Sequence, residues 1–327
     1  MNAASKLSLL PATAAARTRL RDVEFVEMPV KQILNRCNSP GMPFRWTINP
    51  YRGCEFGCVY CYARYTHEFL DQRDPMAFER RIFVKRGAAE ALARNLARTA
   101  IGTDQIALGT ATDPYQPAER KFGLTRAMLE VFARLGGLNL SITTKSSLIT
   151  RDLDLLRSIN QRSQLSVNFS LITLNRRLQR ALEPRAPRPS LRLHALRELS
   201  GAGIRCNLLM MPMIPGITDD PAAIERVIQN ARRFGASAVW WRSLFLKPAA
   251  ARRFLPFARK AFPAQAARID DYYVRGAYAP RAYDDHLGMI FDRLRRKYGF
   301  ALAREEQDRA ARATGGNAAD VQSLLGF

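Results

Sequence analysis

Between residues 45 and 242 the chain alternates between two hydrophobic rhythms. Short runs rich in β-branched and aromatic residues predict strands at 45–49 (RWTIN), 81–84, 105–110 (QIALGT), 138–144 (LNLSITT), 165–171 (LSVNFSL), 204–211 (IRCNLLMM) and 236–242. Between them, apolar positions recur at the helical period near 87–99, 123–135, 151–160, 189–201 and 219–233. A strand followed by a helix, about six times over and without tight hairpin signals, predicts parallel βαβ units. Each unit takes ~30 residues, so 45–245 holds a six- or seven-stranded α/β barrel or open sheet. Such folds carry their functional residues at the carboxyl ends of the strands and in the loops that follow.

The flanks have a different character. Residues 1–40 have no clear pattern and end at the turn-rich Asn38-Ser39-Pro40-Gly41. Beyond Pro248 the pattern is helical and basic over 252–276 and 281–298, then gives way to a polar, glycine-containing tail at 310–320. The chain therefore divides into a poorly structured leader (1–40), a core (41–247) and a basic helical extension (248–327).

Composition narrows the class. Of 327 residues, 47% are hydrophobic and 9% aromatic, which excludes wholesale disorder. No apolar run approaches the ~18 residues that span a bilayer, so a soluble protein without membrane association is expected. Lys and Arg outnumber Asp and Glu by 51 to 29, a net charge of +22. An excess of that size suggests a polyanionic partner, DNA or RNA, because cationic side chains gain affinity by displacing counterions from phosphates. A solvated, arginine-rich surface has the same composition, and pairs such as Arg80-Arg81 and Arg295-Arg296 are spread along the chain. The first twenty residues are Ala-rich and lack acids and a long apolar stretch, as in a transit peptide or a disordered basic leader and unlike a secretory signal.

Five cysteines cannot staple a fold of this size, and three of them fall between positions 54 and 61. The stretch Asn49-Pro50-Tyr51-Arg52-Gly53-Cys54-Glu55-Phe56-Gly57-Cys58-Val59-Tyr60-Cys61-Tyr62 contains Cys-x3-Cys-x2-Cys directly after the first predicted strand. Clustered thiols point to a metal site in a reducing compartment, which places the protein in the cytoplasm. Gly53 and Gly57 let the backbone wrap around a common centre. Three centres fit. A structural zinc would take a fourth ligand from His67 or Cys37 and would make the chain a zinc-binding nucleic-acid-binding protein without catalysis. An electron-transfer cluster would need four cysteines. A [4Fe–4S] cluster held by three would leave one iron open for chemistry.

Cys-x3-Cys-x2-Cys followed by an aromatic, here Tyr62, resembles the signature of radical S-adenosylmethionine (radical SAM) enzymes. Within that superfamily the chain is most similar to the spore photoproduct lyase branch and its "DNA repair photolyase" relatives. The resemblance covers roughly 45–245 and rests on Cys58-Val59-Tyr60-Cys61-Tyr62, Gly109-Thr110-Ala111-Thr112-Asp113-Pro114-Tyr115-Gln116-Pro117, Thr143-Thr144-Lys145-Ser146, Val167-Asn168-Phe169-Ser170 and Met211-Pro212-Met213-Ile214-Pro215-Gly216. It implies a partial (β/α)6-type barrel with a helical C-terminal extension. Cys54, Cys58 and Cys61 would bind three irons of the cluster, and S-adenosylmethionine would chelate the fourth. One electron, from reduced flavodoxin or ferredoxin, would cleave the cofactor to a 5′-deoxyadenosyl radical that abstracts hydrogen from a substrate.

The resemblance also implies roles for further residues. Thr112 and Asp113 fall in the segment that contacts the methionine end of the cofactor; without the resemblance, Asp113 before Pro114 reads as a turn cap. Lys145 matches the lysine that holds the cofactor carboxylate, and Ser170 reaches its sugar or amino group. Asn168 shares a strand face with Ser170 and stands where the lyase has arginine. Tyr60 and Tyr62 match positions that assist radical propagation. One departure bears on the reaction. The lyase returns a hydrogen atom from a cysteine three residues before the aspartate, and here that residue is Thr110, whose O–H bond is too strong for the step. The substrate chemistry of photoproduct repair therefore does not transfer. Cys206, in an apolar strand, reads as a small buried hydrophobe, and Trp240-Trp241 as core or as a base-stacking surface.

Overall fold

The computed structural model describes residues 23–39 and 41–302. The first twenty-two residues and the tail expected at 310–320 lie outside the described residues. Ten strands are described: β1 (Glu24–Pro29), β2 (Leu34–Arg36), β3 (Trp46–Ile48), β4 (Tyr51–Arg52), β5 (Arg81–Arg86), β6 (Gln105–Leu108), β7 (Asn139–Thr144), β8 (Gln164–Ser170), β9 (Arg205–Met213) and β10 (Ala238–Ser243). The helices run α1 (Tyr65–Glu68), α2 (Ala77–Arg80), α3 (Ala88–Arg98), α4 (Ala118–Phe122), α5 (Leu124–Arg134), α6 (Leu153–Arg162), α7 (Arg176–Leu182), α8 (Pro189–Gly201), α9 (Pro221–Arg233), α10 (Pro248–Ala261), α11 (Pro263–Tyr273) and α12 (Arg281–Lys297).

The main sheet has the order β10-β9-β8-β7-β6-β3-β2. From β3 to β10 every neighbouring pair is parallel, and β2 closes the β3 edge antiparallel. Six parallel strands with helices between them are the α/β arrangement that the alternating rhythm predicts. Ile106, Leu140, Val167, Leu208 and Val239 are buried on successive strands, where helices such as α5, α6, α8 and α9 cover the sheet with their own apolar stripes. Parallel strands buried in this way need crossover helices, which is why the sequence shows no hairpin signals.

Two expectations are corrected. The leader is not unstructured throughout: β1 and β2 lie within it. Moreover, the predicted strand at 81–84 leaves the main sheet. As β5 it pairs in parallel with β1 and antiparallel with β4, forming a small second sheet of order β1-β5-β4. Its register sets Glu24 opposite Arg81, and their side chains form an ion pair at 2.7 Å.

The basic extension does not stand apart. Arg253 of α10 reaches Glu79 at 3.8 Å, and Arg252 pairs with Glu68 of α1. Helix α12 packs on β10, where Trp241 stacks on Phe291 with ring centres 5.1 Å apart, and the Arg295 guanidinium lies over Trp240. The paired tryptophans therefore belong to this packing.

Candidate active site

The cysteine loop follows β4, which two residues separate from the carboxyl end of β3, and glycine makes its path passable. Gly53 has φ +89°, and a Cβ there would come within 2.8 Å of the Phe78 carbonyl and 2.9 Å of the Arg81 carbonyl. The Cys54 amide donates to that same Phe78 oxygen at 2.9 Å. Only a residue free of Cβ permits so close an approach with positive φ. Cys58 and Cys61 are joined by the bond from Cys61 N–H to Cys58 O at 3.2 Å, and Val59 N–H donates to Leu182 O at 3.0 Å.

Residues 109–119 clamp this loop. Gly109, with φ +93°, packs so tightly that a Cβ would meet Thr143 O at 2.7 Å. Thr112 donates its hydroxyl to Gly53 O at 2.6 Å, and Gln116 Nε2 donates to Gly53 O at 3.1 Å. Glu55, buried, accepts from Ala118 N–H at 2.6 Å, while its own amide donates to Gln116 Oε1 at 2.9 Å. Asp113 accepts from Thr144 Oγ1 and from Lys145 N–H, each at 2.7 Å, and from Tyr115 N–H at 2.9 Å. Thr112 and Asp113 lie just past β6, with their oxygens committed to bracing the cysteine loop and the end of β7.

Lys145 follows β7 and turns inward. Its Nζ donates to Ser170 Oγ at 2.9 Å and stands 3.8 Å from Glu183 Oε1. The carboxylate of Glu183 accepts from Tyr60 OH and from Arg192, whose other nitrogens reach Ser170 O at 2.9 Å and Pro187 O at 2.8 Å. Glu183 and Arg192 are fully buried. Burial opposes the charged form of both carboxylate and ammonium, yet Arg192 and Lys145 hold the Glu183 carboxyl below its ordinary range, and Cys58 and Glu183 hold Lys145 above its own. Glu183 and Arg192 are the part of this network that the sequence analysis does not foresee.

Asn168 lies deeper on β8. Its Nδ2 donates to Ser141 Oγ at 2.8 Å and its Oδ1 accepts from Asn207 Nδ2 at 2.9 Å, so three adjacent strands share one polar layer. Asn207 Oδ1 is buried without a protein partner. The two tyrosines separate: Tyr60 is buried with its phenol on Glu183, whereas Tyr62 is 41% exposed and donates to Thr110 O.

Burial raises all three thiols, Cys58 to about 12, with Lys145 opposing the shift at Cys58 and Arg64 opposing it at Cys61. Buried thiols become thiolates when a metal centre replaces their protons. Among the described residues, no group of three or more His, Cys, Asp and Glu side chains is arranged around a single ion. His67, a candidate fourth zinc ligand, has its Nε2 2.9 Å from Arg81 O and its ring edge-on to Phe78 and Phe83. The donor set is three clustered thiols, and Lys145, held to Ser170 at the ends of β7 and β8, is the charged polar group within electrostatic reach of Cys58. This set fits a three-cysteine cluster with a polar ligand beside it better than a closed zinc site.

The radical SAM superfamily model matches residues 48–228. A protein of Mycobacterium tuberculosis is 34% identical over 280 residues, covering 85% of this chain and 82% of that one. One from Methanocaldococcus jannaschii is 27% identical over 241 residues, covering 74% and 85% respectively. Among solved structures, spore photoproduct lyase complexed with dinucleoside spore photoproduct aligns with a TM-score of 0.62 at 15% identity, over 84% of this chain and 79% of that one. A lyase variant with bound AdoMet and the same ligand aligns with a TM-score of 0.61 and the same coverage. At that identity the likeness is one of fold.

Proposed function

This chain belongs to the radical SAM superfamily, and on that premise we propose that it cleaves S-adenosylmethionine reductively and uses the resulting radical to take hydrogen from a nucleic acid. The observation that carries the reading is three clustered thiols on one strand-end loop, Cys54 and Cys58 buried and Cys61 half-buried, with the Lys145 ammonium acting on Cys58 and held to Ser170 Oγ at 2.9 Å. When bound, a [4Fe–4S] cluster and S-adenosylmethionine supply a 5′-deoxyadenosyl radical, with methionine released, once an electron arrives from reduced flavodoxin or ferredoxin.

The chain's own residues hold and orient these groups. Cys54, Cys58 and Cys61 would ligate three irons. Lys145, kept cationic by Glu183, would meet the cofactor carboxylate, and Ser170 would reach its amino or sugar group. Asn168, bridged to Ser141 and Asn207, offers hydrogen bonds in the polar layer. Thr112 and Asp113 would act through backbone, fixing the Gly53 carbonyl and the Lys145 amide. Tyr62, partly exposed, would be the tyrosine that passes a hydrogen atom, and Tyr60, whose hydroxyl donates to Glu183, would steady that carboxylate. Thr110 returns no hydrogen, so the bond-breaking lyase reaction is not assigned to this chain. No helix of the described residues is long and apolar enough to cross a membrane. Three free thiols clustered together suit the reducing cytoplasm.

Electron paramagnetic resonance tests the reading. In the anaerobically reconstituted, reduced protein, adding S-adenosylmethionine should shift the cluster signal. Lys145→Ala should raise the concentration needed for that shift about thirtyfold or more, the effect of removing one partner of a buried charge pair. A signal indifferent to the cofactor would contradict the open-iron assignment.

A further inference from the structure

Four aromatic rings and one ammonium form a continuous strip between the two ends of the main sheet. Tyr65 and Phe69 lie just past the cysteine loop, edge to face with ring centres 5.6 Å apart. Phe245, just past β10, packs against Tyr278 at 4.7 Å. Lys247 joins the two pairs: its Nζ lies 4.6 Å from the centre of the Tyr65 ring and 5.6 Å from that of Phe245. The bond from Leu246 N–H to Ala277 O, 2.8 Å, holds the loop of Tyr278 against the segment of Lys247. Both segments leave the carboxyl ends of their strands, so the strip borders the same mouth as Cys61.

The two ends of the strip face water, while Tyr65 and Phe245 between them are half-buried. Phe69 and Tyr278 are each 72% exposed, and so is neighbouring Val274, at 73%. Scattered apolar residues at a surface are ordinary, but a contiguous aromatic row beside a candidate active site is not. Neither Lys247 nor the exposed Arg275 in the Tyr278 loop has a carboxylate partner among the described residues. On a chain of net charge +22, the exposed rings of Phe69 and Tyr278 beside cations without a carboxylate partner match the chemistry of a strand with stacked bases and phosphates. Bases in a duplex keep their faces covered by their neighbours, so only unpaired ones can lie on such rings.

We propose that Tyr65, Phe69, Phe245 and Tyr278, with Lys247 and Arg275, form a ledge that binds the unpaired bases of a single-stranded nucleic acid and leads the strand to the mouth. The inference rests on the nucleic-acid reading above and adds to it the place and form of the substrate. Base stacking on the rings supplies sequence-tolerant affinity, and the two cations take the phosphates.

Fluorescence anisotropy with the full-length reconstituted protein tests it, using labelled oligothymidylate, oligouridylate, a thymidylate strand with abasic sites, and duplex DNA. The ledge predicts that Phe69→Ala and Tyr278→Ala each weaken single-strand binding about fivefold or more. Both side chains are largely exposed, so both variants should fold. Neither should weaken binding of the abasic strand, which keeps its phosphates but offers nothing to stack. Met289→Ala, an equally exposed apolar residue on α12, should bind as wild type does. The two single-stranded probes tell whether the sugar matters. If wild type binds oligonucleotides but both variants bind them equally well, the ledge is overturned and the nucleic-acid reading stands. If wild type binds no oligonucleotide at low salt, both fall. A variant that loses affinity for an acidic peptide and keeps it for the oligonucleotide would assign the strip to a protein partner, against the proposal.

Discussion

Glu183→Ala should lower the folding stability of this protein by about 3–5 kcal/mol, the cost of breaking a buried ion pair by removing one partner. Glu183 and Arg192 are both fully buried, and the carboxylate also accepts from Tyr60 and faces Lys145. Without it, Arg192 keeps its carbonyl partners but has no counter-charge, Lys145 loses its nearest anion, and the Tyr60 hydroxyl is left without its acceptor. Glu183→Gln keeps the shape and an acceptor for Tyr60, so its loss should be smaller but still measurable. Denaturant unfolding of the cluster-free chain reads both. A loss below about 1 kcal/mol for the alanine variant, the range of exposed pairs, would show that the network does not carry the charge balance assigned to it.

The second large effect concerns the cysteines. Replacing Cys54, Cys58 or Cys61 with alanine should each strip the chain of iron and reduce cofactor cleavage by about a hundredfold or more, since losing a ligand exceeds the 10–100-fold effect of disturbing a ligand's support. Cys206→Ala should leave iron content unchanged. Cys206 is fully buried in β9, and its thiol is pushed up to about 12 by burial alone. Cys37→Ala should likewise keep the iron. Loss of iron in Cys37→Ala would instead indicate a fourth cysteine ligand and a closed cluster. Iron and sulfide analysis of the purified variants decides between these outcomes.

Much of the fold was legible because parallel strands buried on both faces write themselves as apolar runs, and their crossover helices as amphipathic ones. Each predicted run between 105 and 242 became a strand of the main sheet. The run at 81–84 became a strand too, but its sheet was not legible. Parallel pairing with Glu24–Pro29 joins segments more than fifty residues apart, and the partner's mixed sequence, EFVEMP, has no clean alternation. The cysteine loop was legible because ligand spacing is local. Lys145 and Ser170 were legible as strand-end residues, and the structure brings them together. Glu183 and Arg192 were not, because a charged residue at a helix end or within an amphipathic helix reads as solvated. Only tertiary contacts turn both inward, Arg192 onto Ser170 O and Glu183 onto Tyr60 and Arg192, and no local signal separates them from the other charged residues of α7 and α8. The aromatic strip was invisible for the same reason: its rings come from three segments that Lys247 and one backbone hydrogen bond bring together.

The most direct measurement is the amount of 5′-deoxyadenosine formed when the reconstituted protein, with about four irons per chain, is reduced with dithionite in the presence of S-adenosylmethionine. The account predicts that the nucleoside accumulates in proportion to cluster content and is absent from Cys58→Ala. A preparation with intact iron and sulfide that never yields it would contradict the account.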